Sequence, residues 1–294
     1  MKLCNDCGQV FDHSEWVCPS CSRRPAEIAG RLAFAPDLAA QSEGFEPEYF
    51  ENLAKLEAHS FWFRSRNQLL IWALQKYFPD AQSFMEVGCG TGFVLSGIRE
   101  ALPRLSLCGS EVFSMGLSFA AERLPGAELF QMDARHIPFQ QEFDVIGAFD
   151  VLEHIKEDEE VLAQMYQATR RGGGILITVP RHPFLWSRAD EYARHVRRYT
   201  ARELAAKVRR AGFDVVRITS FVSLLFPGLI LSRFKESLSR SEFDPEGEFI
   251  ANPFLNVFLE RTLTAERALI RAGVSFPVGG SLLLVAHRNE SSHS

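Results

Sequence analysis

At 294 residues, 46% hydrophobic and with a net charge of −5, the chain suits one large domain, or one with a small appendage. Its acidic balance gives no global pull toward nucleic acid or an anionic membrane, and no apolar run is long enough to span a bilayer. The opening residues, Met1-Lys2-Leu3-Cys4-Asn5-Asp6, lack the apolar core of a signal peptide, so a reducing cytoplasm is the expected location.

Four cysteines come first, as two pairs: Cys4-x-x-Cys7-Gly8 and Cys18-Pro19-x-Cys21. Two such pairs a short loop apart are a ligand set for tetrahedral zinc, and in a reducing compartment disulfides are the weaker reading. Gly8 helps the tight turn, and His13 can be read as a substitute ligand or as a solvated loop residue. A closed four-thiolate site leaves no position for water, so Zn2+ here is expected to be structural. Residues 1–24 therefore read as a zinc ribbon and 25–47 as a linker with at most a short helical turn.

From Pro47 the periodicity turns helical, with Tyr49, Phe50, Leu53 and Leu56 on one face. Leu69, Leu70, Ala73, Leu74 and Tyr77 mark a second helix that ends before Pro79. The aromatic string His59 to Asn67 between them reads as cap packing, or as a lid in which Arg64 or Arg66 grips an anion. Then comes Phe84-Met85-Glu86-Val87-Gly88-Cys89-Gly90-Thr91-Gly92: an apolar strand ending in an acid, a glycine turn and the start of a helix. Alternate glycines let the backbone approach a ligand, and the turn feeds a helix N-terminus with free N–H groups. Phe93 stands where a dinucleotide fingerprint needs its third glycine, and no Gly-Lys-Ser/Thr ending marks a P-loop. Glu86 would repel a pyrophosphate but suits an ammonium group.

This stretch resembles the first motif of the class I S-adenosylmethionine-dependent methyltransferases. The resemblance implies an α/β, Rossmann-like sheet of seven strands with helices on both faces, and S-adenosyl-L-methionine as cofactor. It implies that Glu86, Gly88, Cys89 and Gly90 meet the amino-acid end of that cofactor. The string around Phe61-Trp62-Phe63-Arg64 is also similar to a segment of bacterial methyltransferases, which favours the lid reading.

The rest of the core alternates strands and helices, the sign of a parallel sheet. Strand two, Leu105 to Glu111, ends in an acid able to accept from both ribose hydroxyls; Cys108 within it reads as a small buried apolar side chain. After strand three, near Glu128 to Gln131, the resemblance gives Asp133 the adenine amino group and Met132 the ring face. Strand four, Phe143 to Phe149, leads into Asp150-Val151-Leu152-Glu153-His154, a segment common in the same superfamily. There the backbone of Ala148 and Phe149 is expected beside the methionine moiety. His154 is a candidate general base, or a packing residue. Glu157, Asp158, Glu159 and Glu160 read as a solvated helix start that complements the dipole, not a metal site. Gly172-Gly173-Gly174 is expected to end that helix before strand five, Ile175 to Val179. Arg188, Arg194, His195, Arg197, Arg198 and Tyr199 follow in a basic run. It reads equally as an acceptor grip, with His195 a second base candidate, or as a solvated face paired with Asp190 and Glu191.

Thr200-x-x-Glu203 fits a capping box for a helix to Ala211, and strand six is expected at Asp214 to Thr219. The apolar stretch Phe221 to Leu231 is expected to be a buried cap or dimer face, with a membrane-surface contact or lipophilic pocket as the alternative. A polar loop, Ser237 to Gly247, follows. Asn252-Pro253 starts a helix that runs to Ala272, and Ser281 to Ala286 forms the last strand. The resemblance implies that this strand inserts antiparallel between strands five and six. The methyltransferase domain is thus expected over 48–290, with its core at 80–219, a cap or insertion at 220–250 and a closing helix and strand at 252–288.

The expected function is methyl transfer to a small-molecule acceptor, most readily at oxygen, on a lipid-linked or sugar intermediate. The alternatives are an RNA or protein methyltransferase that uses the ribbon for recognition, and a non-catalytic cofactor-binding scaffold. The acidic charge disfavours nucleic acid, peripheral membrane contact stays open, and the sequence does not specify an oligomeric state.

Overall fold

The computed structural model describes residues 1–40, 47–238 and 252–289. Two strands of two residues, β1 (Lys2–Leu3) and β2 (Val10–Phe11), pair antiparallel in the ribbon. The segment expected as linker instead folds into a hairpin, β3 (Ala26–Ile28) and β4 (Arg31–Ala33), followed by one helical turn at Pro36–Leu38. Helices α1 (Pro47–Leu56) and α2 (Phe61–Tyr77) come next. Ser60 caps α2 by accepting from Trp62 N, so the aromatic string from Phe61 forms the first turns of this helix.

The core continues with β5 (Ser83–Val87), α3 (Phe93–Ala101), β6 (Ser106–Glu111), α4 (Ser114–Arg123), β7 (Glu128–Gln131) and β8 (Phe143–Phe149). After it come α5 (Asp158–Ala168), β9 (Thr169–Pro180), α6 (Arg188–Tyr192), α7 (Ala201–Arg210) and β10 (Asp214–Phe221). Two helices, α8 (Phe226–Leu238) and α9 (Pro253–Arg271), precede β11 (Ser281–His287). The polar loop after α8 lies largely outside the described residues.

Apart from the β1–β2 pair of the ribbon, the described strands form one nine-stranded sheet in the order β10-β11-β9-β8-β5-β6-β7-β4-β3. The first seven of these are the expected α/β sheet. Strand β11 lies antiparallel between β9 and β10, while β5, β6, β7, β8 and β9 run parallel. The hairpin extends the far edge: Ala33 pairs with Gln131, and the buried Gln131 amide clamps Ala35. Its Oε1 accepts from Ala35 N at 3.0 Å and its Nε2 donates to Ala35 O at 2.7 Å. Two apolar layers flank the sheet. One packs Met85, Ile146, Ile177 and Leu284 of the sheet against α5 and α7; the other packs Phe84 and Leu283 of the sheet with Leu70 of α2, Leu95 of α3 and Leu117 of α4.

One expectation fails for a steric reason. The glycine triplet does not end a helix; α5 stops at Ala168 and the glycines lie within β9. A Cβ on Gly173 would stand 2.2 Å from Asp144 O, and one on Gly174 2.2 Å from Ala286 O, so strand crowding is what requires glycine there. The apolar stretch Phe221 to Leu231 is buried only in part, so it is not a wholly buried cap: Phe221 and Phe226 are buried, while Leu224, Ile230 and Leu231 are exposed.

The ribbon docks on the β7 side of the core. Leu3 N donates to Pro138 O at 2.9 Å, and Gln140 N to Met1 O at 2.9 Å. Trp16 meets Phe34, Phe130 and Phe139 edge-on, with ring centroids 4.7, 5.9 and 5.4 Å apart. Trp16→Ala is expected to remove about 3 kcal/mol of packing. The ribbon should then be cut by protease while the core resists; unchanged cleavage would refute this anchoring role.

Candidate active site

The carboxyl ends of β5, β6 and β8 meet along one rim, the place where open α/β sheets bind ligands. Gly88, Gly90 and Gly92 all have positive φ, at 68, 51 and 75°. A Cβ on Gly88 would fall 2.5 Å from Val151 Cγ2, so the turn lies against the segment after β8. Non-glycine residues in the same φ region also stand just beyond three strand ends: Asp150 (58°) after β8, His182 (64°) after β9 and Val222 (58°) after β10. Strain of this kind gathers where ligands are held.

Glu86 is buried at the end of β5, and its Oε2 has no hydrogen-bond partner within the protein. Burial pushes its pKa well above the usual carboxylate range; Arg66 opposes this, and Glu57 and Glu111 add to it. Glu111, at the end of β6, accepts from Gly90 N at 3.0 Å, Val112 N at 2.8 Å and Phe113 N at 3.2 Å. Burial raises its pKa and these three N–H groups counter it. Cys89, Met132, Ala148 and Phe149 are buried around the turn. Asp133 is gripped by Arg135, whose Nη2 lies 2.8 Å from Oδ2. Burial works to raise the Asp133 pKa, but the bonds from Arg135 prevail and hold it low.

Sequence reasoning missed Glu57 and left Asp150 and Glu153 without roles. Glu57, buried just after α1, takes Thr91 Oγ1 at 2.6 Å and Arg123 Nη1 at 2.6 Å, which ties the cap to the glycine turn. Arg66 pairs with Asp150, stacks over Trp62 at 4.5 Å, and acts electrostatically on Glu57, Glu86 and Glu153. It therefore neutralises the protein's own acids. Arg64 likewise pairs with Glu260 of α9.

His154 and His195 come together, with ring centroids 4.7 Å apart. Burial, with His195 nearby, lowers the His154 pKa to about 3, which weakens the case for it as a lone base at neutral pH. His195 Nδ1 lies 2.8 Å from Asp190 Oδ1. The basic run is only in part the solvated face expected: Arg194 is exposed, while Arg197, Arg198 and Tyr199 reach buried acids. Buried Asp190 holds Arg198 Nε at 2.8 Å, and buried Asp158 takes Tyr199 Oη at 2.6 Å, Arg197 at 2.6 Å and Lys207 at 2.5 Å. Asp158 was expected to be solvated; its three partners account for its burial.

The four ribbon cysteines converge, with Cys4 Sγ 3.6 Å from Cys21 Sγ and Cys7 Sγ 3.5 Å from Cys18 Sγ. Four thiolates about 2.3 Å from a central zinc ion would stand at similar spacing. Gly8 (φ 75°) and Ser22 (φ 59°) make matching turns after each pair, their N–H groups donating to Cys4 O and Cys18 O at 2.9 Å. His13 is exposed and stands outside the cluster.

Arg66→Gln is expected to cost about 3 kcal/mol at neutral pH, because it strands buried carboxylates. Glu57 and Glu86 already have folded pKa values above their unfolded ones, and losing the guanidinium raises them further. Stability from such groups falls as pH rises above about 4.5, so the loss should be larger at pH 8 than at pH 5. Urea unfolding at the two pH values checks this, and equal losses would count against it.

A methyltransferase domain profile matches residues 54–218. A curated "Probable S-adenosylmethionine-dependent methyltransferase" of Mycolicibacterium smegmatis is 22% identical over 163 residues, covering 54% of this chain and 62% of that protein. Phosphatidylethanolamine N-methyltransferase of Cereibacter sphaeroides is 34% identical over 103 residues, covering 32% and 48%. The chain thus spans between about half and three fifths of the length of these relatives. Among solved structures, phosphoethanolamine N-methyltransferase 2 of Haemonchus contortus, in complex with phosphomonomethylethanolamine and S-adenosylhomocysteine, superposes with a TM-score of 0.56 at 18% identity. That match covers 86% of this chain and 60% of the other, a likeness of fold. With the profile spanning more than half of its length and the strand order in agreement, the chain belongs to the class I S-adenosylmethionine-dependent methyltransferase family.

Proposed function

We propose that the protein moves the methyl group of S-adenosylmethionine to an oxygen of a small-molecule acceptor. The observation that carries this reading is Glu86: a buried carboxylate with one unpartnered oxygen, beside a glycine turn that lets a ligand approach. Such a group favours a cation, and the cofactor's amino-acid end supplies an ammonium. Gly88, Cys89 and Gly90 would lie against that end. Glu111 would hold the ribose hydroxyls and Asp133 the adenine amino group, with Met132 packed on the ring. The backbone of Ala148 and Phe149 would border the methionine moiety.

The cofactor brings a methyl group already activated on a sulfonium centre. What remains for this chain is to align the acceptor and exclude water. A hydroxyl acceptor must also lose a proton, and His154 and His195 are the groups at the rim able to serve it. Relatives named for phosphatidylethanolamine and trans-aconitate favour a small acceptor over a macromolecule. A lipid-linked acceptor fits the apolar side chains that α8 and α9 expose, among them Phe234, Phe254 and Phe258. The four cysteines would hold a structural zinc ion, with no open position for chemistry.

S-adenosylmethionine and S-adenosylhomocysteine should both bind in calorimetry. Glu111→Ala should weaken them about 10- to 100-fold by removing charged hydrogen bonds; no binding by the wild type would end the reading. Metal analysis should find zinc in the wild type, and Cys7→Ser with Cys21→Ser should release it and unfold the ribbon. A folded ribbon without metal would remove the zinc assignment.

A further inference from the structure

The single turn at Leu152–His154, directly after β8, carries a feature that cofactor binding does not use. Glu153 is fully buried, and both of its carboxylate oxygens lack a hydrogen-bond partner within the protein. A buried carboxylate in that state is costly unless a cation meets it.

Two imidazoles share the space. His195 Nε2 lies 4.0 Å from Glu153 Oε1, and its other nitrogen is held by Asp190 at 2.8 Å. Asp190 is itself fixed: Ser187 N and Oγ donate to it at 2.9 and 3.0 Å, and Arg198 Nε at 2.8 Å. A carboxylate that grips the far nitrogen of a histidine is the usual support of a metal-bound imidazole, since it sets the tautomer and the ring direction. The His154 ring packs edge-on against that of His195. One ligand atom from each of Glu153, His154 and His195 falls within 4.8 Å of the others. Arg66 and Arg198 act on Glu153 through space, but neither bonds it.

We propose that Glu153, His154 and His195 form a second metal site that takes one divalent first-row transition ion. Two neutral imidazoles and one carboxylate suit Mn2+ or Zn2+. Unlike the four cysteines, three ligands leave coordination positions open. Val151, two residues before Glu153, lies against Gly88, which puts the site beside the cofactor turn. On the methyl-transfer reading, on which this role rests, the open positions take the acceptor's oxygen. The cation lowers the pKa of that hydroxyl, the O–H proton passes to solvent, and the O–CH3 bond forms as the S–CH3 electron pair returns to sulfur. Neither histidine then has to act as a free base.

The test uses the full chain with its ribbon loaded with zinc. Mn2+ is titrated in and the free ion followed by electron paramagnetic resonance, while equilibrium dialysis counts Zn2+ beyond the ribbon's complement. The wild type should bind one further ion per chain. Glu153→Gln should bind it at least tenfold more weakly, and should lose the rise in melting temperature that the ion gives the wild type. His195→Gln, at a ring only 16% exposed, provides a second variant should Glu153→Gln fold poorly. S-adenosylhomocysteine affinity, measured on the same samples, should hold in both variants. If the wild type binds neither ion beyond the ribbon, or if both variants bind it as the wild type does, the site is refuted. Loss of S-adenosylhomocysteine binding in the wild type would instead refute the methyl-transfer reading, whatever the metal result.

Discussion

A row of buried acids along one sheet rim governs the rest of this structure. Glu57, Glu86, Glu111 and Glu153 are all buried near the carboxyl ends of β5, β6 and β8. Carboxylates this close raise one another's pKa values unless donors or cations compensate. The protein compensates unevenly. Glu111 has three backbone N–H groups, Glu57 has Thr91 and Arg123, and Asp150 has Arg66. Glu86 and Glu153 keep oxygens without partners. The two under-compensated acids lie on β5 and just past β8, two residues from Gly88 and from Val151, which meet each other.

The elements around the rim hold these acids in place. Helix α2 reaches it with Arg66, and the end of α1 with Glu57. Helix α9 ties in from the other side: Glu266 accepts from Ser223 N at 2.6 Å and Leu224 N at 2.7 Å, fixing the strained turn after β10. The basic run after α6 belongs to the same scheme. Its arginines hold Asp158 and Asp190, and Asp190 in turn sets the His195 ring. Most of the cations near the site are thus spent on internal acids rather than offered to an anionic substrate.

What could be read from the sequence follows from the range of the interactions involved. The glycine turn, Glu111 at its strand end and the four cysteines are local patterns, with backbone and side-chain requirements only a few residues apart. The strand alternation fixed the sheet class for the same reason. The roles of Glu57, Arg66 and Asp158 depend on partners far along the chain, such as Arg123, Asp150 and Tyr199, and no local pattern marks such pairs. The glycine triplet misled because a strand crowded on both sides and a helix terminus both select glycine. The hairpin at 26–33 was missed because its strands have three residues each, too few for alternation to register.

The added hairpin has a further consequence for how the molecule meets others. Strand edges invite pairing with foreign chains unless they are blunted. On one flank the hairpin replaces the β7 edge with β3, only three residues long. On the opposite flank β10 carries an irregularity between Val215 and Arg217 that interrupts its ladder. Both margins of the sheet are therefore poor templates for growth. Among the described residues, the apolar side chains that α8 and α9 expose, Phe254 and Phe258 among them, lie on side-chain faces rather than at a strand edge.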